Sequence, residues 1–96
     1  MHARKISHGD LKPENMIFEK RYLPGKLPST IRLIDFGYAV DKNEKLYKQH
    51  GIGSTEFGTP YYMAPEKFNN EPLEEKSDNW SVGVMTYYML AGYLPF

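Results

Sequence analysis

The chain has 96 residues, enough for one small domain, and a chain of this size buries roughly 60–65% of the surface its unfolded form exposes. Twelve lysines and arginines balance twelve aspartates and glutamates, so no net field draws it to nucleic acid or to an anionic membrane. Cysteine is absent, which excludes disulfides, thiolate chemistry and the usual zinc motifs and fits an intracellular, cytoplasmic setting without excluding the nucleus.

In chain order, Met1 to Lys5 reads as the last turn of a helix. Arg4 and Lys5 are not followed by an apolar run, so this is not a signal peptide. His2, His8 and His50 lack metal-ligand spacing. Met16-Ile17-Phe18 is a short apolar run fit for a strand, and Thr30 to Ile34 is a second, with β-branched residues and partial alternation. Between them Glu19 to Ser29 carries Pro24-Gly25 and Pro28 and reads as the connection of a hairpin. From Tyr38 to Thr59 the sequence is polar, holds Gly51, Gly53 and Gly58, and shows neither a helical nor a strand period. A structureless loop of that length inside a compact domain implies function.

Ala64-Pro65-Glu66 opens a short helix that Asn69-Asn70-Glu71-Pro72 breaks. Ser77 or Asp78 then reads as the N-cap of a last helix, over about 78–91, whose apolar residues Trp80, Val82, Val84, Met85, Tyr88 and Met89 face nearly every side. That is the pattern of a helix buried all round. The stretch Trp80 to Phe96 is too polar and too short for a membrane span, which needs about 20 apolar residues. Aromatic residues, with eight tyrosines among them, imply a large buried surface for so short a chain.

Three stretches carry chemistry: His8-Gly9-Asp10-Leu11-Lys12-Pro13-Glu14-Asn15, Asp35-Phe36-Gly37 and Ala64-Pro65-Glu66. They stand in the order and approximate spacing of the catalytic loop, the metal-binding motif and the end of the activation segment of a eukaryotic protein kinase. Taken alone, Asp10 with Pro13 could be turn chemistry, Asp35 a strand-ending Asx turn and Lys12 a surface lysine. In series, the three make the chain resemble the protein kinase family in its serine/threonine branch. The E-E-K-S-D-N-W-S-V-G-V run and the G-Y-L-P-F ending resemble the calcium/calmodulin-dependent and calcium-dependent group.

That resemblance implies an α+β protein kinase-like fold: a piece of the mainly helical C-terminal lobe, with a short β-hairpin carrying the catalytic loop (8–15) and the metal-binding motif (35–37). The activation segment would run over 35–66. The implied activity is transfer of a phosphoryl group from Mg-ATP to serine or threonine hydroxyls of proteins. Asp10 would accept or orient the proton of the attacking hydroxyl. Lys12 would touch the γ-phosphate, and Thr59 would bond the catalytic aspartate and lysine. Lys12, Glu14, Asn15 and Asp35 are assigned to the nucleotide site, with Asn15 and Asp35 holding Mg2+. Glu14 also matches a position that can meet a basic residue of the substrate. Asp78 would brace the catalytic-loop backbone, and His8 would be packed rather than catalytic.

The departure is Gly9, where most kinases carry an arginine that pairs with a phosphate on the activation segment. Ser54 and Thr55 stand where that phosphate often sits, so Gly9 weakens the expectation that phosphorylation there controls activity. The 96 residues hold no G-x-G-x-x-G loop and no V-A-I-K strand, so the resemblance covers nearly all of the chain but only part of a kinase domain. By itself such a piece is expected to be inactive, to leave Glu66 without its usual arginine partner and to expose apolar patches. A catalytically inactive remnant serving as a protein-binding module is the alternative. Intact Asp10, Lys12, Asn15 and Asp35 favour the enzyme; Gly9 favours the remnant. Calcium/calmodulin-type regulation would lie outside this segment.

Overall fold

A computed structural model describes residues 1–21, 23–26, 30–43, 60–69, 71 and 74–96. The described residues form two small antiparallel sheets and one long helix, an α+β arrangement. The strands are β1 (Ile6–Ser7), β2 (Met16–Phe18), β3 (Ile31–Leu33) and β4 (Val40–Asp41); the helices are α1 (Pro65–Phe68) and α2 (Glu75–Ala91). Single 3-10 turns cover His2–Arg4, Pro13–Asn15 and Pro60–Tyr62.

The expected hairpin is present. β2 pairs with β3 in the register Met16 to Leu33, Ile17 to Arg32 and Phe18 to Ile31. The Ile34 N–H donates to the Asn15 carbonyl at 3.0 Å and extends the ladder one step beyond the strands. Arg32 pairs with Glu19 at the exposed surface, where such a contact contributes little.

The second sheet departs from expectation. β1 pairs with β4 through Ile6 to Asp41 and Ser7 to Val40, so part of the stretch read as structureless after Tyr38 is a strand. Two residues cannot display a period of two, which is why the sequence carries no signal for either strand. The N-terminal residues form a 3-10 turn closed by Lys5 in the left-handed region (φ 59°), not an α-helical turn.

α2 begins at Glu75, with Glu74 as N-cap, earlier than the sequence suggested. Ser77 and Asp78 have capping chemistry, yet both lie inside the first turns and spend their side chains on other segments. The helix stops where Gly92 takes φ 80° and its N–H returns to the Tyr88 carbonyl at 2.9 Å, a left-handed cap that glycine adopts at little steric cost.

α2 is not buried all round. Its inward face carries Ser77, Asp78, Ser81, Val84 and Met85, while Met89 and Leu90 are 74% and 85% exposed. The core is small: Leu11, Tyr62, Val84 and Met85, with Met16, Leu33 and Leu94 packed against it. Leu11 lies next to Asp10 in sequence, so the same cluster that docks α2 also seats the 8–15 loop. Trp80 stacks on Phe96 (5.7 Å between centroids, 12°) and Tyr87 meets Tyr93 edge-on. No helix among the described residues is long and apolar enough to cross a membrane.

Candidate active site

Asp10 follows β1 and sits in a backbone that side chains hold from several directions. The Gly9 N–H donates to Asp78 Oδ1 at 2.9 Å, and the His8 N–H donates to Asp78 Oδ2 at 2.8 Å. The Gly9 carbonyl accepts from Lys67 Nζ at 2.8 Å. The Asp10 N–H donates to His8 Nδ1 at 3.3 Å, and the Asp10 carbonyl accepts from Asn15 Nδ2 at 2.8 Å. The peptide groups on both sides of Asp10 are therefore fixed by Lys67, His8 and Asn15, and Asp78 holds the two that precede them. Such placement is what a group must have if it is to act in one orientation.

Gly9 itself has φ 82°. A side chain in that conformation costs about 1–2 kcal/mol, so a glycine here relaxes the sharp turn into the loop. Its lack of a side chain thus has a backbone cause alongside any regulatory one.

The Asp10 carboxylate faces two further residues of the same loop. Lys12 Nζ lies 3.0 Å from Oδ2, and Asn15 Nδ2 reaches the same oxygen at 3.2 Å. Pro13 at the first position of the 3-10 turn, after an extended Lys12, reverses the chain so that Asn15 comes back under Asp10. Asn15 is 5% exposed. Its amide nitrogen is spent on Asp10, which turns the Oδ1 oxygen away as the remaining acceptor.

Asp35 reaches this place from a different strand. Because Ile34 is bonded to Asn15 across the ladder, Asp35 is the first residue beyond it. Asp35 is in the left-handed region (φ 61°), and its Oδ1 accepts from the Gly37 N–H at 3.3 Å. The Asx contact weighed as a structural explanation is therefore present. It coexists with an exposed carboxylate held in a conformation that few non-glycine residues adopt. Phe36 packs its ring 4.9 Å from that of His8, and His8 Nε2–H donates to the Ile34 carbonyl at 3.0 Å. His8 thus ties the 8–15 loop to the 35–37 stretch and is packed, as expected.

The charges report the same convergence. The Lys12 ammonium is held above its usual pKa, chiefly by its hydrogen bond to Asp10, against partial burial and with help from the Asp10, Glu14 and Asp35 carboxylates. One cation is thereby shared by carboxylates from the loop and from the neighbouring strand end. Thr59, with Ser54 and Thr55, lies outside the described residues.

A supporting layer comes from the later helices. Glu66 on α1 accepts from Ser77 Oγ at 2.8 Å, a partner other than the arginine that the family resemblance associates with this position. Ser81 Oγ donates to the Tyr62 carbonyl at 2.7 Å, pinning the 60–62 turn to α2. Asp78, 2% exposed, also accepts from His2 Nε2 at 2.9 Å. Lys67, His2, Ser77 and Ser81 were not singled out from the sequence. The one available signal was a lysine directly after Ala-Pro-Glu, within the short helix that this stretch opens.

Two carboxylates, a lysine that interacts with both and a buried asparagine thus meet at one end of the β2–β3 hairpin, in a loop whose backbone Asp78 holds. A family model for the protein kinase domain matches residues 1–96, and the chain belongs to that family. Among curated relatives it is 43% identical to death-associated protein kinase 2 of Mus musculus and of Homo sapiens. Those matches cover 100% of this chain and 24% of each relative. It is 40% identical to CBL-interacting protein kinase 5 of Oryza sativa subsp. japonica, over 99% of this chain and 19% of that protein. The chain therefore spans a quarter or less of the length of these relatives.

Proposed function

We propose that this chain is the catalytic-loop portion of an intracellular ATP-dependent serine/threonine protein kinase, lying in the C-terminal lobe of its domain. The observation that carries the reading is the Asp10–Lys12–Asn15 cluster at one end of the β2–β3 hairpin, with Asp35 on the adjoining strand end. In this reading Asp10 takes up or orients the proton of the substrate hydroxyl. Lys12 neutralises charge on the transferred group, and Thr59 joins both. The local ion pair with Asp10 keeps the Lys12 ammonium charged throughout the physiological range.

The donor set fits magnesium. Asn15 Oδ1 and the Asp35 carboxylate are hard oxygen ligands, and this ion is commonly held by one or two carboxylates with phosphates completing its shell. Among the described residues there is no cluster of three or more His, Cys, Asp or Glu that would suggest an all-protein cage. Magnesium and ATP together would supply the phosphoryl group and offset its charge. Glu14, exposed beside Lys12, would in this reading add to the nucleotide site or meet a basic residue of the substrate.

The test uses the protein at its natural length, incubated with labelled ATP and a degenerate serine/threonine peptide library. Transfer that requires Mg2+ and is abolished by Asp10→Asn supports the reading. ATP binding without transfer to any hydroxyl, in the unaltered protein, would instead identify a binding module.

A further inference from the structure

Gly9 is the joint on which Asp10 turns. It has no side chain, stands at φ 82° and precedes the residue whose carboxylate must point at the substrate. Its N–H is held by Asp78 of α2, and its carbonyl by the ammonium of Lys67 on α1. Lys67 is separated from Gly9 by 58 positions and follows Ala64-Pro65-Glu66 directly, so this bond ties the 8–15 loop to α1.

Lys67 shares its surroundings with Asp10, Asp78 and Glu66, whose negative charges favour its ammonium, while burial acts the other way and lowers its pKa. A lysine placed in a polar cleft among three carboxylates and bonded to one particular carbonyl is poorly explained as a solvated surface charge. Burying it carries a cost that such a surface position would not incur.

We propose that Lys67 is a positioning residue for phosphoryl transfer: its bond to the Gly9 carbonyl locks the Gly9–Asp10 peptide and couples the catalytic loop to α1 without a phosphate on Ser54 or Thr55. This rests on the kinase reading above and deepens it. Position 9 offers no side chain to receive a phosphate, and the cation that reaches the loop comes instead from the 60–69 segment. Lys67 acts through the Gly9–Asp10 peptide, whose carbonyl it holds.

The experiment compares the unaltered natural-length protein with Lys67→Met, Lys67→Arg and a Ser54→Ala/Thr55→Ala double variant. Amide hydrogen exchange is followed over residues 8–12, alongside kcat and KM for ATP and for a peptide substrate. Lys67→Met is expected to raise exchange at Asp10 and Leu11 and to lower kcat by about tenfold to a hundredfold, as a misaligned catalytic group does. Both KM values should stay within about twofold, because the groups that bind ATP and peptide are unaltered. Lys67→Arg should restore both readouts, and the double variant should keep kcat near that of the parent.

Unchanged exchange in Lys67→Met overturns the proposal. So does unchanged kcat, a kcat loss matched by a rise in KM for ATP, or a tenfold loss in the double variant. Melting followed by Trp80 fluorescence shows whether each variant folds, and Lys67→Gln replaces Lys67→Met if that variant does not. Should the unaltered protein transfer no phosphate, the kinase reading fails, while the exchange comparison still decides whether Lys67 holds the loop.

Discussion

Replacing Asp78 by alanine removes the acceptor of two backbone N–H groups, those of His8 and Gly9, at a site 2% exposed. Hydrogen bonds to a charged partner contribute about 1.5–3 kcal/mol each, and a buried donor left alone pays its full desolvation cost. The two bonds together therefore set a scale of about 3–6 kcal/mol for holding this stretch closed. Water entering the space vacated by the carboxylate recovers part of that, so the lower end is expected. Since every 1.4 kcal/mol is tenfold, the His8 and Gly9 amides should exchange roughly a hundredfold faster in Asp78→Ala than in the parent.

Asp78→Asn keeps one acceptor oxygen and turns an amide toward the other donor, so about half the effect, near tenfold, is expected in that variant. Amides of Val84 and Met85, on the same helix but bonded only along it, are the internal control. Residue-resolved hydrogen exchange on the natural-length protein makes the measurement. If the His8 and Gly9 amides of Asp78→Ala exchange within about threefold of the parent, the bracing argued from these distances is wrong.

Ser7 is fully buried, and its Oγ has no hydrogen-bond partner among the described residues. Ser7→Ala should accordingly be neutral or stabilising by up to about 1 kcal/mol in guanidinium unfolding, and a loss of that size would reveal a partner. Ser77→Ala removes the hydroxyl bonded to Glu66 and should lower stability by about 1.5–3 kcal/mol in the same assay.

The Lys12–Asp10 pair gives a pH signature. The folded-state pKa of Lys12 is raised, so its stabilisation is complete below the ordinary lysine value and is lost as pH rises through the raised one. Titration of Lys12 by NMR should show that upward displacement and its disappearance in Asp10→Asn; an identical midpoint in both proteins would contradict the pairing.

The grouping of Asp10, Lys12 and Asn15 was legible in the sequence because it is written in contiguous letters. Asp10, Lys12 and Asn15 sit within one loop whose proline fixes the reversal, and Asp35 ends an apolar run that any strand rule finds. The hairpin joining them followed from the same pattern. What escaped was mostly tertiary. Ser77 and Asp78 look like helix caps, and their real partners, Glu66 and the His8–Gly9 backbone, lie far away in the chain. That misplacement is why the start of α2 was set too late.

The pairing of β1 with β4 escaped for a different reason: strands of two residues are selected by their neighbours rather than by their own period. Lys67 escaped because a helix-start lysine reads as exposed until the fold brings the Gly9 carbonyl to it. The outward face of α2 departs from the all-round burial its pattern suggested, and agrees with the expectation that a piece of this kind exposes apolar patches. Its apolar composition signals burial, yet Met89 and Leu90 lie open among the described residues, since composition states what a surface favours and not what meets it.

The central claim is that side chains from the 8–15 loop and the 35–37 motif hold one magnesium–nucleotide complex. Its most direct measurement replaces magnesium by paramagnetic Mn2+ with ATP, in the natural-length protein, and follows broadening of backbone NMR signals. The expected result is selective broadening at residues 10, 15 and 35, with Leu90 and Tyr93 unaffected, and its loss in Asp35→Ala. Broadening that spares those three residues, or that persists unchanged in Asp35→Ala, would contradict the account.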